Sequence, residues 1–188
     1  MPITSQDLSP GFLAELMAVP GGELIQGCYA CGACSGICPV SQAIPEFDPR
    51  KMIHMVRMGL KERLLTSDLL WYCSRCRGCV FVCPQDVRFA DIVVALRQLA
   101  VEQGYLTEAD LIAKGKAAEV ARDRCVACLT CVRICPWRVP RIDEAGVATI
   151  PVAECRACGI CVAECPVQAI QLATAPDERL LAACGSRS

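Results

Sequence analysis

Cys28-Tyr29-Ala30-Cys31-Gly32-Ala33-Cys34-Ser35-Gly36-Ile37-Cys38-Pro39 decides how the rest of the chain is read, because the same cysteine spacing recurs three times downstream. The later copies are Cys73, Cys76, Cys79 and Cys83-Pro84; Cys125, Cys128, Cys131 and Cys135-Pro136; and Cys155, Cys158, Cys161 and Cys165-Pro166. Each reads C-x-x-C-x-x-C-x-x-x-C-P. A [4Fe-4S] cube needs four soft thiolates at tetrahedral corners; three cysteines three residues apart wrap one face of it on a tight turn, and the fourth comes from elsewhere. The proline after the last cysteine has a fixed φ and no amide hydrogen, so it turns the chain away from the first cluster. Gly32, Gly36, Gly78 and Gly159 are expected to let backbone amides approach and hydrogen-bond the sulfurs. Structural zinc uses paired C-x-x-C units, which these triplets with a fourth cysteine do not resemble. The expectation is four [4Fe-4S] clusters.

At 188 residues the chain divides naturally into two halves of two quartets each. Halves this small bury modest apolar surface, so the clusters are expected to serve as cores and the apo chain to be largely unfolded. The formal charge is −1, and four oxidised cubes with their thiolates add about −8 by formal counting. The loaded protein is therefore acidic. Met1 to Pro10 has neither a basic start nor an apolar run, so no signal peptide is expected and the cysteines are not read as a disulfide framework. No stretch approaches the roughly 18 consecutive apolar residues of a membrane span. These features predict a cytoplasmic protein without direct membrane insertion. Charge blocks and a basic aromatic surface are missing from the sequence, which argues against nucleic acid as a partner.

Along the chain, Phe12, Leu13, Leu16 and Met17 form an amphipathic piece closed by Pro20-Gly21-Gly22, read either as a helix packed on its own domain or as a docking arm. Asp48-Pro49 reads as an N-cap and first helical residue. The helix is predicted to run to about Leu65, with Met52, Val56, Leu60 and Leu64 as its stripe. Phe89 to Gln103 reads as a second helix burying Ile92, Val93, Leu96, Leu99 and Ala100, stopped by Gly104. Thr107 and Asp110 form a weak capping box that opens a helical connector. Beyond it, Pro140 to Ile150 reads as a hairpin turning around Glu144 to Gly146, and Ala169 to Leu172 as a strand. The predicted fold is mainly α with small β: an all-helical domain over 1–104, a connector over 105–122, and an α+β domain with a C-terminal tail over 123–188.

Leu70-Trp71-Tyr72-Cys73 and Phe89-Ala90-Asp91-Ile92-Val93, together with two widely separated quartets, make the first half resemble the C-type iron-sulfur subunit of heterodisulfide reductase. Cys135-Pro136-Trp137, Pro140-Arg141-Ile142-Asp143 and Cys165-Pro166-Val167-Gln168-Ala169-Ile170 make the second half resemble a bacterial dicluster ferredoxin, closest to the ferredoxin module of the flavin-containing A-type subunit of the same complexes. The resemblance implies a helical ferredoxin domain followed by a dicluster ferredoxin domain. It also implies an electron relay between that flavin-containing A-type subunit and a cysteine-rich B-type subunit. In dicluster ferredoxins the fourth cysteine ligates the other cube. Carried over, this pairs Cys125, Cys128 and Cys131 with Cys165, and Cys155, Cys158 and Cys161 with Cys135. By analogy, Cys28, Cys31 and Cys34 pair with Cys83, and Cys73, Cys76 and Cys79 with Cys38.

An adjacent Cys-Cys pair, a G-x-G-x-x-G fingerprint and a C-x-x-C-H site are all missing from the sequence, which favours an electron-transfer subunit without a substrate of its own. Three alternatives stay open: a small thiol/disulfide oxidoreductase using the spare Cys184, a subunit feeding a quinone-linked, aromatic or C1 reductase, and an assembly subunit with structural clusters. The first loop is neutral, whereas Arg75 and Arg77 flank Cys76; either these arginines give the cluster of Cys73, Cys76 and Cys79 the higher potential of the two in the first half, or they point to solvent or pair with acidic neighbours.

Overall fold

The structure is a computed structural model that describes residues 4–173. Most of the expected C-terminal tail, with Cys184, lies outside the described residues. The chain divides into two compact units between Leu106 and Thr107. The fold is mostly helical with two small sheets.

The described part of the first unit contains helices and 3-10 turns without strands. Helix α1 (Phe12–Met17) buries Phe12 and Leu16 completely, so the N-terminal amphipathic piece packs on its own unit. Two short helices follow, α2 (Ala33–Gly36) and α3 (Pro39–Ala43), the second opened by Pro39 at its first turn. Helix α4 (Pro49–Arg57) begins as the sequence predicts: Asp48 caps it by accepting from the Lys51 amide. The same carboxylate accepts from the Ser35 hydroxyl at 2.6 Å, and Ser35 Oγ accepts from the Arg50 amide at 3.1 Å. Burial alone would raise the Asp48 pKa; these hydrogen bonds outweigh it and hold the carboxyl below its ordinary value. The first cysteine loop is thereby fastened to α4.

The predicted single helix from Pro49 to Leu65 is instead two, α4 and α5 (Lys61–Leu65). They break at Gly59, which has φ +76° and whose carbonyl accepts from the Ser9 amide at 2.7 Å. A Cβ at this position would lie 2.7 Å from the Ser9 carbonyl oxygen. The stripe still works across the break, with Met52, Val56, Leu60 and Leu64 all buried. Gly59→Ala meets both left-handed strain and the Ser9 backbone, and is expected to destabilise the loaded protein by about 1–3 kcal/mol, read as a lowered melting temperature. A melting point equal to wild type would show that the Ser9 segment yields.

Helix α6 (Gly78–Phe81) carries Cys79, and α7 (Phe89–Glu102) is the long helix of the unit. It buries Ile92, Val93, Leu96, Leu99 and Ala100, and Gly104 ends its run at φ +74°. Phe47 meets Phe89 edge-to-face with ring centroids 6.2 Å apart. Lys61 Nζ donates to Glu15 at 2.6 Å, tying α5 to α1.

The second unit opens with α8 (Glu108–Ala113), capped by Thr107, whose hydroxyl accepts from the Asp110 amide. The helical connector expected over 105–122 is corrected here. Only α8 is helical, and Glu119–Val120 is strand β1, paired antiparallel with β4 (Ile170–Gln171) as Glu119↔Gln171 and Val120↔Ile170. The partner strand lies 50 residues downstream (170 − 120), which local periodicity does not register. The predicted hairpin forms from β2 (Arg141–Ile142) and β3 (Ala148–Thr149). Short helices α9 (Thr130–Ile134) and α10 (Ile160–Ala163) carry Cys131 and Cys161.

Candidate metal centres

In every quartet the residues flanking the second cysteine have left-handed backbone: Ala30 and Gly32, Arg75 and Arg77, Ala127 and Leu129, Ala157 and Gly159, with φ between 48° and 84°. Two such residues in alternation curl the loop so that successive amides face inward, an arrangement that receives anionic sulfur. Gly32 and Gly159 occupy left-handed positions, but Gly36 lies within α2 and Gly78 opens α6. Ala30, Arg75, Arg77, Ala127, Leu129 and Ala157 adopt the strained conformation with a Cβ in place. The third cysteine of each quartet then sits in a short helix, α2, α6, α9 or α10.

The amide two residues after the first cysteine donates to its sulfur in three loops: Ala30 to Cys28, Arg75 to Cys73 and Ala157 to Cys155, each at 3.4 Å. After the fourth cysteine, Asp86, Arg138 and Gln168 turn left-handed and the next amide returns to the sulfur. Val87 donates to Cys83 at 3.2 Å, Val139 to Cys135 at 3.5 Å and Ala169 to Cys165 at 3.2 Å. Cys38 differs, because Pro39 leads into α3 rather than into this turn.

Four cavities of similar size, with about 320–370 Å³ of atom-free space including their mouths, are each lined by four cysteines. Cys28, Cys31, Cys34 and Cys83 line one; Cys73, Cys76, Cys79 and Cys38 another. In the second unit Cys125, Cys128, Cys131 and Cys165 share a cavity, and Cys155, Cys158, Cys161 and Cys135 share the other. No group of three or more His, Cys, Asp or Glu among the described residues is gathered closely enough to hold a single metal ion. The sulfurs instead stand around a space, with backbone amides aimed at them, which fits an anionic cube better than mononuclear zinc. Cys31, Cys76, Cys128 and Cys158, the middle cysteines of the triplets, are exposed and mark the outer rims.

The third cysteine of each triplet is the most perturbed. Burial pushes the thiols of Cys34 and Cys131 up, and those of Cys79 and Cys161 up to about 11. Neighbouring cysteines add to the effect, so thiolates crowd together here only against positive charge. Cys128 moves the other way, lowered chiefly by its hydrogen bond with the Thr130 hydroxyl.

Against known proteins, a family model described as a 4Fe-4S dicluster domain matches residues 24–87, and a second model of the same description matches 66–136 and 117–166. The chain belongs to the 4Fe-4S dicluster family. Its cofactors are 4Fe-4S clusters. The chain is 36% identical over 114 residues to the iron-sulfur C subunit of the CoB–CoM heterodisulfide reductase of Methanopyrus kandleri, covering 57% of this chain and 59% of that protein. It is 39% identical over 80 residues to the iron-sulfur C 2 subunit of the same enzyme from Methanocaldococcus jannaschii, covering 43% and 42%. A protein of Archaeoglobus profundus, named for its likeness to the C subunit of heterodisulfide reductase, is 33% identical over 91 residues, 48% of each chain. The chain thus spans about half the length of the curated relatives it matches.

The charges around these dicluster sites are only partly those read from the loops. Arg77, which lines the cavity of Cys73, forms an ion pair with Asp91 at 3.2 Å. The first loop, neutral in sequence, receives Arg50 of α4 at its cavity wall and Arg57 of α4 at the Cys28 carbonyl. Arg156 stacks on Trp137, 5.2 Å from the ring centroid, where both line the cavity of Cys155. Arg97, which motif and spacing do not single out, is buried beside Cys73. Its register is visible in the sequence: Val93, Arg97 and Ala100 fall on one face of α7. His54, by contrast, lies exposed on α4. Among the described residues no helix is long and apolar enough to cross a membrane.

Proposed function

We propose that this chain is the electron-transfer subunit of a heterodisulfide-reductase-like complex, carrying four [4Fe-4S] clusters. The observation that carries this reading is the set of four like-sized cavities, each lined by three cysteines of one quartet and the last cysteine of another. The ligand sets follow: Cys28, Cys31, Cys34 and Cys83; Cys73, Cys76, Cys79 and Cys38; Cys125, Cys128, Cys131 and Cys165; Cys155, Cys158, Cys161 and Cys135. When bound, such a cube supplies one-electron oxidation and reduction within a range of about −700 to +450 mV. The chain's own residues hold the thiolates in strained loops, donate amides to their sulfurs and leave one cysteine of each set at the surface, where an electron enters or leaves.

The relatives' names as iron-sulfur or other subunits of heterodisulfide reductases support a place inside a complex. The partners proposed are a flavin-containing A-type subunit and a cysteine-rich B-type subunit in the cytoplasm. The helical domain of residues 1–104 and the dicluster domain of 123–188 each contribute two clusters to the path.

Anaerobically prepared protein is expected to hold about 16 iron and about 16 acid-labile sulfide per chain, and to give spectra of interacting cubes in electron paramagnetic resonance after dithionite reduction. Zinc in place of iron, or iron without sulfide, would end this reading and make the quartets structural.

A further inference from the structure

The four cysteine loops share one backbone at the start of their short helices. The residue before each helix is left-handed with ψ within 5° of zero: Gly32 before α2, Arg77 before α6, Leu129 before α9 and Gly159 before α10. The first helical side chain, two residues after the middle cysteine, therefore starts from the same backbone position in every loop. What occupies that position differs: Ala33, Gly78, Thr130 and Ile160. Of these four only Thr130 brings a hydroxyl, and its Oγ1 lies 3.4 Å from Sγ of Cys128, the exposed corner of its quartet. Both residues line the cavity of Cys125, Cys128, Cys131 and Cys165. A thiolate on iron has no proton to give, so in the loaded protein the Thr130 hydroxyl is the donor and the Cys128 sulfur the acceptor. The nearby Arg133 guanidinium donates to the Cys128 carbonyl, at 3.0 Å.

We propose that the Thr130 hydroxyl raises the reduction potential of the cluster held by Cys125, Cys128, Cys131 and Cys165 by donating a hydrogen bond to its exposed sulfur. The proposal rests on the four-cluster reading above. A cube on four thiolates carries formally about two negative charges when oxidised and about three when reduced. Part of the added charge falls on the ligand sulfurs, so a donor at Cys128 stabilises the reduced cube more than the oxidised one. Water also reaches a rim sulfur and replaces part of a lost bond, which keeps the effect of one hydroxyl modest. In the sister loop of the same unit, Ile160 offers Cys158 only carbon. An electron shared between the two cubes of this unit is therefore weighted by the Thr130 bond toward the Cys128 rim. There Val126 and Leu129, 62% and 45% exposed, flank the sulfur with apolar surface.

The test is a redox titration followed by electron paramagnetic resonance on anaerobic full-length protein, comparing wild type, Thr130→Ser and Thr130→Val. The signal altered or lost in Cys128→Ser belongs to this cluster. Thr130→Val keeps the branched shape without the hydroxyl and is expected to lower that potential by about threefold in the reduction equilibrium, which is about 28 mV for one electron. Thr130→Ser keeps the hydroxyl and is expected to stay with wild type. Equal potentials in Thr130→Val and wild type overturn the proposal. The same shift in Thr130→Val and Thr130→Ser also overturns it, since the methyl group of the threonine would then be the cause. If Thr130→Val does not assemble its cluster, the reciprocal variant Ile160→Thr decides. It places a hydroxyl at the equivalent position beside Cys158, and a potential of the cluster of Cys155, Cys158, Cys161 and Cys135 raised by about threefold in the equilibrium supports the proposal. An unmoved potential in that variant overturns it. Wild-type protein without iron and sulfide would mark failure of the four-cluster reading before any variant is compared.

Discussion

Anaerobic removal of iron is expected to unfold the second unit while the first keeps much of its helix. The reason lies in what each unit buries. The first unit has a continuous apolar core in which Phe12, Leu16, Phe47, Phe89, Ile92 and Leu96 are essentially inaccessible to water. Among the described residues of the second, the buried apolar side chains larger than alanine, cysteines aside, are Leu111, Val139, Pro140, Val152 and Ile170; the remainder are alanine and cysteine. Its strands are two residues long, and pairs of that length have little stability of their own. With metal gone, the crowded Cys131 and Cys161 thiols protonate and their cavities lose the group that joined the loops. Limited proteolysis of the chelated protein should cut within 107–173 about tenfold faster than within 4–106, with loss of the cooperative thermal transition from the second unit. Equal resistance of the two units, or equal digestion, would show that apolar burial does not set their dependence on metal. The sequence expectation of a largely unfolded apo chain is thus narrowed to one unit.

A second large effect comes from paired cysteine substitutions. In the first unit Cys83 lines the cavity of Cys28, Cys31 and Cys34, whereas Cys76 lines the other. If each cavity holds one cube, Cys31→Ala with Cys83→Ala removes two ligands from the same cluster and should cost about 4 iron per chain, the same as Cys31→Ala alone. Cys76→Ala with Cys83→Ala strikes two clusters and should cost about 8. The first unit is the place for this experiment because its apolar core holds the surviving cluster's loop in place. The opposite ranking, with the Cys31 and Cys83 pair costing the larger amount, would mean that each quartet binds its own cube.

Much of this was legible in one dimension because it depends on near neighbours. The triplet spacing is set by the geometry of a single loop, and four repeats of it name the cofactor class without any tertiary information. The Asp48-Pro49 start, the α7 stripe ending at Gly104 and the hairpin around Gly146 are likewise local, governed by capping, helical period and turn conformation. The left-handed loop positions were less legible because six of the eight are not glycine; the curl around the cysteines demands the conformation and the residue type does not announce it.

The amino-acid sequence by itself determined that this is a protein of cysteine quartets with a helical first half and small strands in the second. Only the tertiary structure decided where the helix after Asp48 breaks, because Ser9 comes to Gly59 from across the unit. It also set strand β1 in place of the end of the expected helical connector and buried Arg97 against the Cys73 carbonyl. Contacts between residues far apart in sequence leave no periodic trace along the chain. Electrostatics in turn depends on burial, which is known only once those contacts have closed.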